Sequence, residues 1–151
     1  MRLRLRGLLT TVVAFGMTAG ALAQDSNPPG TGILCGYDII AAVLVDAQVC
    51  GWVDTDRGLA VRQVFADTGA YILANDKSHP ERVAEKQAGV AQALAELVKL
   101  DEVEKASFCA GTNPRYPNYF TNMRSIKAVQ WLEASRAALR VPARPTYGVC
   151  F

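Results

Sequence analysis

The stretch ILCGYDIIAAVLVDAQVCGW, residues 33–52, decides how the rest of the chain is read. Its polar members are Asp38, Asp46 and Gln48, set in a run of apolar residues from Ile39 to Val49. At about 100° per residue these three fall within one half of a helix, and Ile39, Ile40, Val43, Leu44 and Ala47 fill the other half. A strand competes, because all three polar positions are even-numbered and β-branched residues are frequent. Length decides: the apolar run outlasts an ordinary strand of roughly 4–8 residues, and Ala41, Ala42 and Ala47 favour helix. A helix so apolar around its circumference belongs at the centre of a bundle.

Helical signals continue towards the C-terminus. Asp54-Thr55-Asp56 offers N-caps for a second helix, in which Val61, Val64, Phe65, Thr68 and Ile72 recur at helical spacing before Asn75-Asp76-Lys77 ends it. Ser78 and Glu81 have the spacing of a capping box for a third helix, with Pro80 tolerated in its first turn. Its stripe of Val83, Val90, Leu94 and Leu97 is narrow, and Glu85, Lys86, Gln92, Glu96 and Lys99 are expected to face solvent. Asp101 and Glu104 open a short fourth helix through Cys109, which Gly111 stops. Residues 111–120, GTNPRYPNYF, hold two prolines and three aromatics and read as an ordered loop. A fifth helix is expected from about Asn122 to Leu139, carrying Ile126, Val129, Trp131 and Leu132 inward, with Pro142 and Pro145 forbidding its continuation.

The N-terminal end explains the compartment. Arg2, Arg4 and Arg6 precede a run of apolar and small residues from Leu8 that closes on Ala21-Leu22-Ala23, which reads as a secretory signal peptide over residues 1–23 cleaved before Gln24. Residues 24–32 then form a flexible lead-in rich in Pro and Gly, and residues 33–151 one helical domain. Removing the leader removes three of the 16 Lys and Arg and none of the 14 Asp and Glu, so the mature chain carries 13 against 14, a formal charge of −1. A nucleic-acid partner would need a basic face, which this balance does not offer. No later segment is apolar for long enough to span a bilayer. A periplasmic or secreted protein is expected.

Cys35, Cys50, Cys109 and Cys150 are an even set behind an export signal and read as two disulfides. On one continuous helix Cys35 and Cys50 stand about 22 Å apart, whereas a bridge needs Cα atoms within about 7 Å. Each therefore reaches to Cys109 or Cys150. The expected fold is an all-α bundle of four to five helices stapled by two disulfides, with an irregular aromatic and Pro-rich loop and an extended tail from Val141 to Phe151.

Chemistry-bearing patterns are sparse. The cysteine gaps are far wider than C-x-x-C, so no metal ligand set and no haem attachment is assigned. Asp54-Thr55-Asp56 fails as a calcium loop because Gly58, Leu59 and Phe65 stand where an oxygen ligand, a glycine and a glutamate are needed. No phosphate-binding glycine motif occurs, and no cofactor is expected. His79, the single histidine, reads as a solvent-facing residue at a helix start, and no residue is assigned as catalytic. Asp38 and Asp46, eight residues apart, are too distant to share acid and base work and read as partners of backbone ends or of arginines.

The aromatic loop is the most distinctive feature left. Arg115, Tyr116, Tyr119 and Phe120 are of types enriched at protein interfaces, and Pro114 and Pro117 stiffen the chain on either side of Tyr116. The plainer alternative is that these rings pack the loop onto the bundle. The expected function is a non-enzymatic protein-interaction domain of the bacterial periplasm, of accessory-subunit, inhibitor, immunity or chaperone type, whose partner is another envelope or secreted protein. Two alternatives carry their own marks: a small hydrolase using His79 with Asp76 or Glu81 would show a concave pocket at His79, and a carrier of an apolar ligand would show a cavity beside the first helix.

Overall fold

Residues 28–116 and 121–148 are described in the computed structural model, and among them the regular structure is helical, with no strand. The elements are α1 (Ile33–Val49), α2 (Asp56–Asn75), α3 (Arg82–Leu97), α4 (Glu102–Cys109), a 3₁₀ turn (Thr121–Ser125) and α5 (Ala128–Ala138). The chain is all-α. α1 contacts α2, α3 and α4, and α5 packs on α2.

The position of α1 follows from its composition. It supplies Val43, Leu44 and Ala47 to a cluster with Trp52, Val61, Val64 and Trp131. It gives Ile33, Leu34 and Tyr37 to a second cluster with Tyr71, Ile72 and Val83, and Val45 to a third with Leu97 and Phe108. Fully burying a side chain of this size contributes about 1.5–3 kcal/mol, so one helix anchors all three clusters. The polar half expected of α1 is not a solvent face: Asp46 is only 2% exposed.

The helix ends divide into expected and unexpected. Thr55 caps α2, its hydroxyl accepting from Gly58 N at 3.3 Å and donating to Trp52 O at 2.6 Å. Gly58 is required there, since a Cβ would lie 2.3 Å from Val53 O and 2.4 Å from Trp52 O. Asp101 and Glu104 form the expected capping box. The box expected from Ser78 and Glu81 is not formed. Asp76, 3% exposed, takes the Ser78 amide at 3.3 Å, and Ser78 Oγ instead accepts from Arg144 Nη2, so α3 begins only at Arg82. A buried carboxylate needs its acceptors filled, and Asp76 takes the amide that the exposed Glu81 carboxylate would accept from in a capping box.

The expected fifth helix from Asn122 to Leu139 is broken into the 3₁₀ turn and α5. A fresh start is encoded at Lys127, whose amide donates to Gln130 Oε1 at 3.1 Å. Val129, expected inside, is 54% exposed, because burying Trp131 turns a residue about 200° away outward. The described part of the lead-in is pinned: Gly30 O accepts from Thr146 N at 2.9 Å, and Thr146 O accepts from Leu34 N at 3.2 Å. At Gly30, with φ of 85°, a Cβ would strike Arg144 O at 2.4 Å. Residues 142–148 lie outside regular secondary structure, and the backbone there is gripped by Tyr71, whose hydroxyl donates to Val141 O at 2.8 Å and accepts from Ala143 N at 2.9 Å.

Where two bridges were expected, one is seen among the described residues: Cys50–Cys109, with Cα atoms 5.6 Å apart. It joins α1 to α4, as the spacing required of Cys50. No described cysteine is free, and Cys150 lies outside the described residues, as do the leader and Gln24 to Asn27. No helix among the described residues is long and apolar enough to cross a membrane.

Tyr37 carries a testable cost. It is 1% exposed, its ring stacks on Phe65 at 4.8 Å, and its hydroxyl has no hydrogen-bond partner among the described residues. Removing that orphaned hydroxyl in Tyr37→Phe is expected to raise stability by about 1 kcal/mol at neutral pH. Burial also pushes the phenol up from 10.0 to about 12. Below pH 10 both folded and unfolded chains keep this proton, whereas above it the unfolded chain releases it first. Stability is therefore lost as pH rises from about 10 through 12, by roughly 2–3 kcal/mol, and denaturant curves of Tyr37→Phe should lack that component.

Candidate functional site

Two features of the surface are built rather than incidental. The first is the loop from Ala110 to Met123, whose feet are tied to one turn of α1. Cys109, ahead of the loop, is bonded to Cys50. Arg124, behind it, donates Nε to Asp46 Oδ2 at 2.8 Å and Nη2 to Asp46 Oδ1, forming a bidentate pair. Asp46 and Cys50 are four residues apart and so lie one above the other on α1. The Arg124 guanidinium also donates to Cys109 O and approaches Cys50 Sγ at 3.4 Å, which joins the two feet directly. Trp52 Nε1 adds a donor to Asp46 at 3.0 Å. This carboxylate holds the Arg124 proton more firmly than usual, chiefly through the hydrogen bond.

The first half of the loop is wound on Asn113, 6% exposed. Its Oδ1 accepts from Arg115 N at 3.0 Å and Tyr116 N at 3.1 Å, while Nδ2 donates to Ser107 Oγ at 2.9 Å and Glu104 O at 3.2 Å. Arg115 is exposed, with its guanidinium 5.3 Å from the Tyr116 ring. Tyr116 is half-buried against the third core cluster, so part of the packing alternative is realised there. Tyr119 and Phe120 lie outside the described residues.

The second feature is a groove of about 620 Å³ between α1 and α3. One end is floored by small and apolar residues: Ala41, Ala42 and Val45 from α1, and Gly89, Val90 and Ala93 from α3. The other end is ringed by Asp38, His79, Glu81, Arg82, Glu85, Lys86 and Tyr147. Lys86 Nζ bridges to Asp38 across the groove at 2.6 Å, and His79 Nδ1 lies 3.2 Å from Glu81 Oε1. The Glu81 carboxyl is held below its usual range by its own backbone hydrogen bond first, and then by His79 and Arg82. Asp38 and Asp46 thus face separate cations, Lys86 and Arg124, and share no site.

The concavity lies where a His79 hydrolase would need it. Yet among the described residues no serine, threonine or cysteine lines the groove, and the His79 side chain is 47% exposed. The lining offers recognition by charge and apolar surface more than a nucleophile. Among the described residues no three His, Cys, Asp or Glu side chains are grouped to hold a metal ion.

No family model, curated protein or solved structure matches this chain.

Geometry is therefore what the functional reading rests on. Several residues that build these features went unassigned in the sequence: Asn113 in the loop and Arg124 behind it, and Arg82 and Gly89 in the groove, while Glu85 was read only as solvent-facing. Asn113-Pro114 carries a local turn signal that could have been read. Arg124 carries none, because its partner lies 78 positions away.

Proposed function

We propose that this chain is a non-enzymatic binding domain of the bacterial periplasm, exported by the leader at residues 1–23, which captures another envelope or secreted protein through the loop from Ala110 to Met123. The double tether of that loop is the observation that supports it. Fixing both feet to one helical turn lowers the entropy lost when a partner is bound. Arg115 then stands outward on a preformed base, with Tyr119 and Phe120 further along the same loop.

We also assign the second bridge to Cys35 and Cys150. Leu34, beside Cys35, is hydrogen-bonded to Thr146, four residues before Cys150, and no described cysteine is free. Two bridges suit an oxidising compartment.

The test is capture of a partner from envelope extract by the mature protein, identified by mass spectrometry and then titrated in purified form. Arg115→Ala with Tyr119→Ala should weaken binding at least about tenfold at an unchanged melting temperature. Undiminished binding, or a drop in melting temperature, would assign the loop to packing. The placement of the groove at His79 favours a second reading, hydrolysis with Glu81 orienting the imidazole; it requires turnover of an ester or amide that disappears in His79→Ala.

A further inference from the structure

We infer that the groove between α1 and α3 binds a free α-amino acid with a large apolar side chain, held as its zwitterion. The inference rests on which charges at the polar end are already used. Lys86 is taken by Asp38 and His79 by Glu81. Glu85 is not used in this way, and Arg82 is paired only on its buried side, with Asp76. The Arg82 side chain is 25% exposed, its Nε is ion-paired with Asp76 Oδ2 at 3.6 Å without a hydrogen bond, and its remaining donors have no hydrogen-bond partner among the described residues. Its guanidinium is instead spread 5.9 Å from the centre of the Tyr147 ring. Glu85 forms no ion pair among the described residues.

These two side chains stand three apart on α3, which brings their Cβ atoms to about 5–6 Å, and they do not pair with each other. A guanidinium with unspent donors suits a carboxylate, and a free carboxylate suits an ammonium. An α-amino acid carries both on one carbon. A simple anion would answer only Arg82 and would meet Asp38, Glu81 and Glu85 at the same mouth. A simple cation would leave the Arg82 donors unfilled.

The other end of the groove sets the side chain. From Asp38 to Val45 the floor runs for about 10 Å at 1.5 Å per residue and is apolar beyond the charged ring. Gly89 sits in the middle of α3, where glycine costs about 1 kcal/mol against alanine, yet a Cβ there would meet nothing within 4 Å. Packing inside the domain does not call for a glycine; a side chain would only fill the groove. The volume of about 620 Å³ lies within the roughly 300–1,000 Å³ usual for small-molecule sites.

This site is independent of the loop. Calorimetric titration of the mature protein with phenylalanine and leucine should give a Kd below about 1 mM. Phenethylamine, which lacks the carboxylate, hydrocinnamate, which lacks the ammonium, and glycine, which lacks the side chain, should each bind at least about tenfold more weakly. Glu85→Gln and Gly89→Leu should each lose at least about tenfold in affinity while melting no lower than the parent, and Arg115→Ala with Tyr119→Ala should bind the amino acids unchanged. No binding of either amino acid would overturn the inference. Equal binding of hydrocinnamate or of phenethylamine would overturn the zwitterion assignment, and full affinity in Gly89→Leu would overturn the placement in this groove.

Discussion

Arg124→Met is expected to lower folding stability by about 3–5 kcal/mol, a large share of the roughly 5–15 kcal/mol that holds a domain of this kind together. The reason is what it leaves behind. Asp46 is 2% exposed and would lose the bidentate guanidinium that both its oxygens accept from, while the Trp52 indole donor stays. Loss of the pair itself is the smaller part, since a buried ion pair roughly offsets its own desolvation. The double variant Asp46→Asn with Arg124→Met therefore should recover most of the loss, because the amide still accepts from Trp52 and carries no charge. Urea denaturation of the three proteins measures this directly. A single-variant loss under about 1 kcal/mol would mean that Asp46 is solvated or partnered otherwise. Amide exchange in residues 121–125 should also accelerate in Arg124→Met, since that turn loses its tie to α1.

The second large effect is expected from the Cys50–Cys109 bridge. With a sequence separation of 59, the chain-entropy relation assigns it about 4 kcal/mol, acting mainly by restricting the unfolded chain. Cys50→Ala with Cys109→Ala should lose that amount in the same urea experiment. The two tethers meet at one place, where Arg124 touches both Cys109 O and Cys50 Sγ. Their removal together is thus expected to be non-additive, with a coupling of about 0.5–3 kcal/mol. Additive losses would show that the loop feet are held independently, and would weaken the case that they form one platform.

Much of the helical frame was legible because its signals are local. Thr55 and Asp101 cap helices through contacts within a few residues; Asp101 was marked by its spacing to Glu104, and Thr55 stood among the candidates Asp54, Thr55 and Asp56. Ser78 shows how such a signal fails: its spacing to Glu81 is right, but buried Asp76 claims the amide first. Val129 and Trp131 show the same limit, for both are apolar and only one face of α5 can turn inward. The candidate site was legible only in part. Arg115 and Tyr116 stood out by residue type, whereas Asn113 and Arg124, which shape and tether that loop, resemble any loop polar residue until their partners are placed.

The length of the apolar run from Ile39 to Val49 and its alanines favoured a helix over a strand and placed it at the centre of the bundle, because a rod so apolar around most of its circumference has no stable place at the surface. The offset between Cys35 and Cys50 was by itself enough to forbid their pairing, since a rigid rod sets its own distances. Which carboxylate meets which cation was decided only by the tertiary structure. Asp46 finds Arg124 across 78 positions and Lys86 reaches Asp38 across a groove, and neither approach leaves a periodic trace in the chain. Electrostatic partners are chosen by proximity in space after the apolar faces have docked, and proximity of that kind is a property of the packed bundle.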